Sequence, residues 1–494
     1  MHDLFSNPEM VAAIFMTDTV ELVWLQNCLL VNHLFSHEAT RILWSRCGTE
    51  FPITYSRHRE PTVHALAKIA SRDVSRAQYY ANCIRELRFF RSQEDWPNVT
   101  DKEQWHDYLL NLHFPILEFF TSDGCTKDDP EFGALKTTSP FYDFHSRERI
   151  GLFWHVLRSS PNLKTIDLAL DEPDNFESVE EEAIGFIKST PALSSLSLSF
   201  VYHEGMDFPN NFWQPEVLRS LSTLPMLRKI QGQNLSAKDL KDLPKGSFSA
   251  LKELATGYAG SIAVLPSLFP NLAVLKLELS EQISHGLDRL ADLSCLTYLD
   301  LTFAEDSSFS GSELIALAHG CPHLTTVSLP SASVLKMEDP CPRGEDINDA
   351  MIEAFACALP NLETLCIGLE DRSTLSHQAI LSLARHCPKL SYFYITANVS
   401  IPDLIEGLKQ IGDVPLKSMA FMRIYLPEDV EHTYENTSEL AEQLVYRLAT
   451  GLCEFQISDG SDSDIEFQDL VENLIGVPGS QKDLCRKAET DIEN

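Results

Sequence analysis

Apolar and polar residues follow one short phrase that returns along the chain between residues 163 and 395. The phrase is a Leu, two spacers, an apolar residue, one spacer and a second apolar residue, usually with Pro two places ahead of the Leu. It reads Pro161-Asn-Leu163-Lys-Thr-Ile166-Asp-Leu168, then Pro270-Asn-Leu272-Ala-Val-Leu275-Lys-Leu277, then Pro388-Lys-Leu390-Ser-Tyr-Phe393-Tyr-Ile395. The leading leucines stand at 163, 193, 227, 251, 272, 296, 324, 362 and 390, in steps of 30, 34, 24, 21, 24, 28, 38 and 28 residues; the copies at 227 and 251 are degenerate. The closing apolar pair alternates with a spacer, as a strand with one buried face requires. Between the phrases the pattern turns helical. Ser178-Val-Glu-Glu181 and Ser310-Gly-Ser-Glu313 are capping boxes, the second followed by Leu314, Ile315 and Ala318 on one face. Asn348 and Ser376 are in place to cap two more helices, with inner faces Met351, Ile352, Phe355 and Ile380, Leu383, Ala384. Each unit is therefore strand, turn, helix, turn, and so many copies predict a stacked solenoid rather than a closed globule.

Strands of one sense joined through helices run parallel on one face, with leucines filling the space between the layers. One buried Leu contributes roughly 1.5 to 3 kcal/mol, so a single repeat would not stay folded, whereas neighbours that share a core would. Over about residues 84–430 the chain resembles the leucine-rich-repeat family. The fold class implied is α/β, a curved parallel sheet with helices on the convex side. Ala318-His-Gly-Cys321-Pro and Ala384-Arg-His-Cys387-Pro are similar to the cysteine-containing subclass, in which that Cys packs at the helix end. Irregular spacing over 200–250 leaves the register there open.

The first fifty residues differ in character. Pro8 and Glu9 suit a helix start, Met10, Ile14 and Phe15 share one face, Leu22, Leu25 and Leu29 form a second stripe, and Ile42, Leu43 and Trp44 close a third. These three short amphipathic helices resemble the F-box in the version that many fungal repeat proteins carry. Pro8-Glu9 matches its opening turn, Leu29 to Phe35 stands where the family has Val-Cys-Lys/Arg-x-Trp, and Leu43-Trp44 matches its end. Asn32 replaces the usual Cys and Phe35 the commoner Trp. The alternative is a plain helical cap on the solenoid. The domains expected are an F-box-like module at 1–50, a linker and helix at 51–83, the array at 84–430, and a cap with an acidic tail at 431–494.

The F-box resemblance implies a receptor subunit of a Skp-cullin-F-box ubiquitin ligase. In such a subunit Pro8, Glu9, Ile14, Phe15, Leu29, Val31, Leu43 and Trp44 meet a Skp-type linker protein, and through it a cullin, while the array positions a protein substrate. The alternative function is a non-ligase scaffold.

Formal net charge is −33, and 427–494 holds 4 Lys and Arg against 17 Asp and Glu, 101–426 holds 25 against 44, and 1–100 holds 10 against 11. Such a field disfavours nucleic acid and anionic membrane, and it either favours basic partners or only keeps a long surface soluble. Twelve cysteines without a Cys-x-x-Cys pair suggest neither a zinc knuckle nor a disulfide framework, which fits the cytoplasm or nucleus. No basic segment leads into an apolar run, and nowhere do 18 apolar residues go uninterrupted, so neither secretion nor a membrane span is expected. Four Asn-x-Ser/Thr sites are then chance matches.

Enzymatic signatures are missing from the sequence: no Gly-rich phosphate loop, no Gly-x-Ser-x-Gly, no His-Glu-x-x-His. No catalytic residue, metal site or cofactor is expected, and His386-Cys387 reads as structural. Spacers between the strand leucines point away from the core, and among them Tyr298, Asp300, Tyr392 and Tyr394 form the candidate target-binding face. Exposed Tyr is also plain strand propensity. The insertion Pro330–Asp349 reads as a lid or a solvated loop, and Ser458 to Glu466 as an acidophilic kinase site or a flexible loop.

Overall fold

The computed structural model describes residues 27–48, 61–90, 108–123, 155–171, 180–201, 214–282, 286–304, 306–329, 342–369, 375–412, 416, 419, 421–425, 437–447, 454–458 and 468–472. The chain divides into two compact units, 1–233 and 234–494.

In the first unit the strands are β1 (Arg46–Gly48), β2 (Glu86–Phe90), β3 (Phe119–Asp123), β4 (Thr165–Asp171), β5 (Ser195–Val201) and β6 (Lys229–Ser236). They pair in chain order and all in parallel. Helix α1 (His33–Leu43) precedes β1, and α2 (Val63–Ala70), α3 (Val74–Ala81), α4 (Glu180–Ser189) and α5 (Pro215–Ser222) lie between the strands in sequence.

The second unit repeats the plan with β7 (Glu253–Ala259), β8 (Val274–Leu279), β9 (Tyr298–Thr302), β11 (Thr326–Leu329), β13 (Thr364–Ile367), β14 (Tyr392–Thr396), β15 (Phe421–Tyr425) and β16 (Glu454–Ser458), again parallel neighbours in that order. Strands β10 (Ser308–Ser310) and β12 (Arg343–Glu345) form a separate parallel pair. The helices are α6 (Gly311–Gly320), α7 (Asp349–Ala358), α8 (His377–His386), α9 (Ile401–Ile411) and α10 (Thr437–Arg447).

All nine phrase leucines are buried. Each donates its amide to the carbonyl three residues earlier, at 2.9 to 3.4 Å, which closes a tight turn just before the strand. The recurrent Pro occupies the second position of that turn, where a fixed φ near −65° is already correct. The residue that opens the turn is buried too: Ser160, Thr190, Leu224, Phe248, Phe269, Leu293, Cys321, Leu359 and Cys387 form a second ladder. Lys164, Ser194, Lys252, Ala273, Thr297, Thr325 and Glu363, each one place after a phrase leucine, offer one carbonyl to two amides at the next strand, as Lys164 does to Ser194 and Ser195 at 2.8 and 3.0 Å. With this register and burial the fold is a leucine-rich-repeat solenoid.

Repeat length decides the connecting helix. The 28-residue step from Leu296 to Leu324 holds the ten-residue α6, capped by the Ser310–Glu313 box that the spacing predicts. Steps of 21 and 24 residues from Leu251 and Leu272 are too short for a ten-residue helix; a 3₁₀ turn at Ile262–Val264 running into one α-helical turn at Leu265–Leu268, and a 3₁₀ turn at Leu287–Asp292, take its place. Asn348 and Ser376 cap α7 and α8 as expected, accepting from Met351 and Gln378 amides. Within the inner faces, Ile352 and Phe355 are buried, while Met351 is half-buried and lies over Gly311 of the preceding repeat helix. Ser178 and Val179 of the other capping box fall outside the described residues.

The parallel sheet runs past both ends of 84–430. Arg85 and Glu86 amides both donate to the Ser45 carbonyl, at 2.9 and 3.0 Å, the same relation that Glu118 and Phe119 have to Arg85 and that Ser194 and Ser195 have to Lys164. Ser45 therefore holds the place of Lys164, and Trp44 that of Leu163. The sequence assigns Leu43, Trp44 and their helix to a separate module at 1–50; in the structure α1 and β1 are the helix and strand of a repeat. At the other end β16 adds to β15 in register.

Candidate protein interface

Among the eight residues proposed to meet a linker protein, Pro8, Glu9, Ile14 and Phe15 lie outside the described residues. Leu29 and Leu43 pack with Leu34, Phe35 and Ile42 around buried Cys28 and Ala39. Trp44 stacks on Tyr80, ring centroids 4.5 Å apart. Val31 is 61% exposed and its neighbour Leu30 87%, just ahead of the Asn32 side chain that caps α1 by accepting from the Phe35 amide at 3.0 Å. Thus the four described residues of that face separate: Leu29 and Leu43 pack in the cluster beside α1, Trp44 stacks on Tyr80, and Val31, with Leu30, is left in solvent. Leu30 was not singled out from sequence, because beside Leu29 it reads as more of the same apolar run.

The second candidate surface lies on the sheet face away from the leucines. In-register pairing aligns Tyr298, Thr326, Thr364 and Tyr392 in one row and Asp300, Ser328, Cys366 and Tyr394 in the next. Tyr298 and Tyr392 are three strand spacings apart, roughly 14 Å. Small side chains thus floor a strip between two tyrosine-bearing strands. The Lys276 ammonium lies 5.1 Å from the Tyr298 ring centroid, a cation-π contact. Burial, then the nearby Asp300 carboxylate, holds the Tyr298 hydroxyl protonated well above the usual tyrosine range.

One expectation for this face is corrected. Tyr392 is only 8% exposed, packed with buried Cys366 and half-buried Tyr394, so it is not a solvent-facing contact. Alternation predicts the direction of a side chain but not how much its neighbours cover it. In β7, β8 and β9 the spacers stay partly open; in β11, β13 and β14 Ser328, Cys366, Tyr392 and Thr396 are all buried.

The two cysteines of the repeat signature have equivalent partners. Cys321 donates its thiol toward the carbonyls of Leu290 and Leu293 at 3.4 and 3.3 Å, and Cys387 toward those of Ala356 and Leu359 at 3.7 and 3.5 Å. Each thiol thereby adds a second donor to two carbonyls in the turn that ends the connecting segment of the preceding repeat, each of which already accepts a backbone amide. Burial is the main reason both thiols are pushed up to about 12. They are structural, not nucleophilic. Eight described cysteines are free thiols, and the described residues include no cluster of three His, Cys, Asp or Glu side chains placed to hold a metal ion. No described helix is long and apolar enough to cross a membrane.

No family model matches the chain, and no curated protein matches it. Similar solved structures include a complex of TLR13 with ssRNA13, at 16% identity over 76% of this chain with a TM-score of 0.39. This chain spans 41% of that TLR13 chain. The Rad7 and Elc1 complex of yeast is similar at 14% identity over 72% of this chain and 81% of that one, TM-score 0.41. The leucine-rich-repeat protein LIC12759 of Leptospira interrogans is similar at 13% identity over 80% and 90%, TM-score 0.37. The class of the molecule, a leucine-rich-repeat solenoid, rests on its own register and burial.

Proposed function

We propose that this chain is the substrate-recognition subunit of a Skp-cullin-F-box ubiquitin ligase. Residues 1–31 dock on a Skp-type linker protein and through it on a cullin, and the repeat array holds a target protein for ubiquitination. The chain supplies positioning, which raises the local concentration of target lysine near a charged conjugating enzyme, and no catalytic group or cofactor of its own. The observation that carries the reading is the exposure of Leu30 and Val31, 87% and 61%, within the segment at 1–50 that resembles an F-box. The test is capture of the purified linker protein by the full chain. Binding that Leu30→Asp with Val31→Asp abolishes, at an unchanged melting temperature, supports the reading; no binding where a known F-box protein binds removes it.

A second reading is favoured by the stacking of Trp44 on Tyr80 and by β1 in the sheet: a non-ligase scaffold whose first helices close the array. It keeps partner binding on the sheet face and dispenses with the linker protein.

A further inference from the structure

The open strand positions of the first unit carry a charge opposite to that of the whole chain. In the first unit, none of the described side chains one, two and four places after a ladder residue is buried. In β1 to β6 these places hold Arg46, Arg85, Arg88, Lys164, Arg228 and Lys229 against three acidic residues, Glu86, Glu118 and Asp167. The same places in β7, β8, β9, β11, β13 and β14 hold two basic residues, Lys252 and Lys276, against Glu253, Asp300 and Glu363. A local excess of positive charge in a chain of net charge −33 is not what solubility alone requires.

At one end of this surface the charges are organised. The Glu86 carboxylate accepts from Arg46 Nε at 3.1 Å and from the Arg88 guanidinium, so one carboxylate holds two guanidiniums that remain 66% and 40% exposed. Register sets Phe119 beside Glu86 and Thr121 beside Arg88. Phe119 is 41% exposed, a large apolar side chain left open in mid-sheet.

We propose that this surface binds an acidic segment of a partner protein that carries an apolar side chain: carboxylates on Arg46 and Arg88, the apolar group on Phe119. Guanidiniums fit carboxylates as paired donors, and Glu86 already holds both in place, which lowers the cost of ordering them. A nucleic acid would meet the same arginines but carries a charge at every phosphate, so the acidic remainder repels it more than a short segment with a few carboxylates and an apolar side chain for Phe119, and the protein segment is favoured. The surface is argued from its own residues and stands whether or not residues 1–31 bind a linker protein.

The test is fluorescence anisotropy on the full chain with a labelled glutamate-rich peptide containing one leucine, its glutamine counterpart, and a single-stranded DNA oligonucleotide. The glutamate peptide binds, more weakly as salt rises, and the glutamine peptide does not. Arg46→Gln with Arg88→Gln lowers affinity roughly tenfold or more, as expected for hydrogen bonds between charged groups. Phe119→Thr, which keeps a good strand residue, weakens binding and leaves its salt dependence in place. Thermal melts of each variant confirm folding. The proposal is overturned by no binding, by equal binding of the glutamine peptide, by preference for the oligonucleotide, or by arginine variants that fold and bind like wild type.

Discussion

Trp44 lies flat on Tyr80, with ring planes 11° from parallel. One ring sits at the ladder position of the first described repeat and the other on α3, the helix that precedes the next strand. The stack therefore ties two repeats together and does not present an aromatic face to a partner. Trp44→Ala should lower stability by about 2 kcal/mol, less than for a wholly buried Trp because the ring is half-exposed, and Trp44→Phe by less. Urea unfolding measures this. Unchanged stability in Trp44→Ala would return Trp44 to the docking face.

The buried thiols of Cys321 and Cys387 make the fold sensitive to alkali. Each titrates near 9 in its ordinary state and near 12 in the folded chain. Between those values the unfolded chain releases a proton that the folded chain keeps, so this contribution is complete below pH 9 and is lost as pH rises toward 12. The slope is about 1.4 kcal/mol per pH unit for each thiol. Replacing both by Ala should flatten the decline of stability above pH 9 while lowering stability at neutral pH. In the same protein iodoacetamide at pH 8 should label exposed Cys295 and Cys357 and spare the buried pair, read by mass mapping.

Repeat architecture was legible because its signal is redundant: Leu163, Leu272 and Leu390 each carry the same Pro, spacers and apolar pair, and each is buried. Leu117 is an overlooked copy, with Pro115 two places before it and Phe120 three after; both Leu117 and Phe120 are fully buried. A closing Phe and a 46-residue step to Leu163 disguised it. Trp44 was misplaced for a different reason. Among the described strands β1 is at the edge of the sheet, its ladder position holds an aromatic residue, and Trp44-Ser-Arg-Cys47 does not read as the phrase. The positive surface around Arg46 and Arg88 is invisible to composition, because Arg46 and the Glu86 that holds both, 40 residues apart, meet only when the strands pair.

Backbone approach, not conformation alone, fixes Gly232. At φ +101° it sits where an added Cβ would fall 1.5 Å from the Leu198 carbonyl oxygen on the neighbouring strand. Gly246 also has positive φ, at +73°, but nothing lies within 4 Å of its missing Cβ. Gly246→Ala should cost about 1 kcal/mol, the left-handed penalty by itself, and Gly232→Ala about 3 kcal/mol or more because two strands must separate. Equal melting temperatures for the two variants would show that the close approach carries no cost.

Tyr298 and Tyr392 look interchangeable in the sequence and should behave differently. Tyr392→Ala empties a packed site against Cys366 and should lower stability by about 3 kcal/mol, so lost binding in that variant would report unfolding. Tyr298 is partly open and held by Lys276, so Tyr298→Ala should fold with a melting temperature close to wild type. If the strip between β9 and β14 receives the target, proteins recovered with the wild-type chain by affinity capture should be lost with Tyr298→Ala and kept with Leu30→Asp and Val31→Asp, which should lose only the linker protein. Loss of the same proteins from both variants would mean that one surface, not two, does the binding. Retention of every partner by a folded Tyr298→Ala would remove the strip as a binding site.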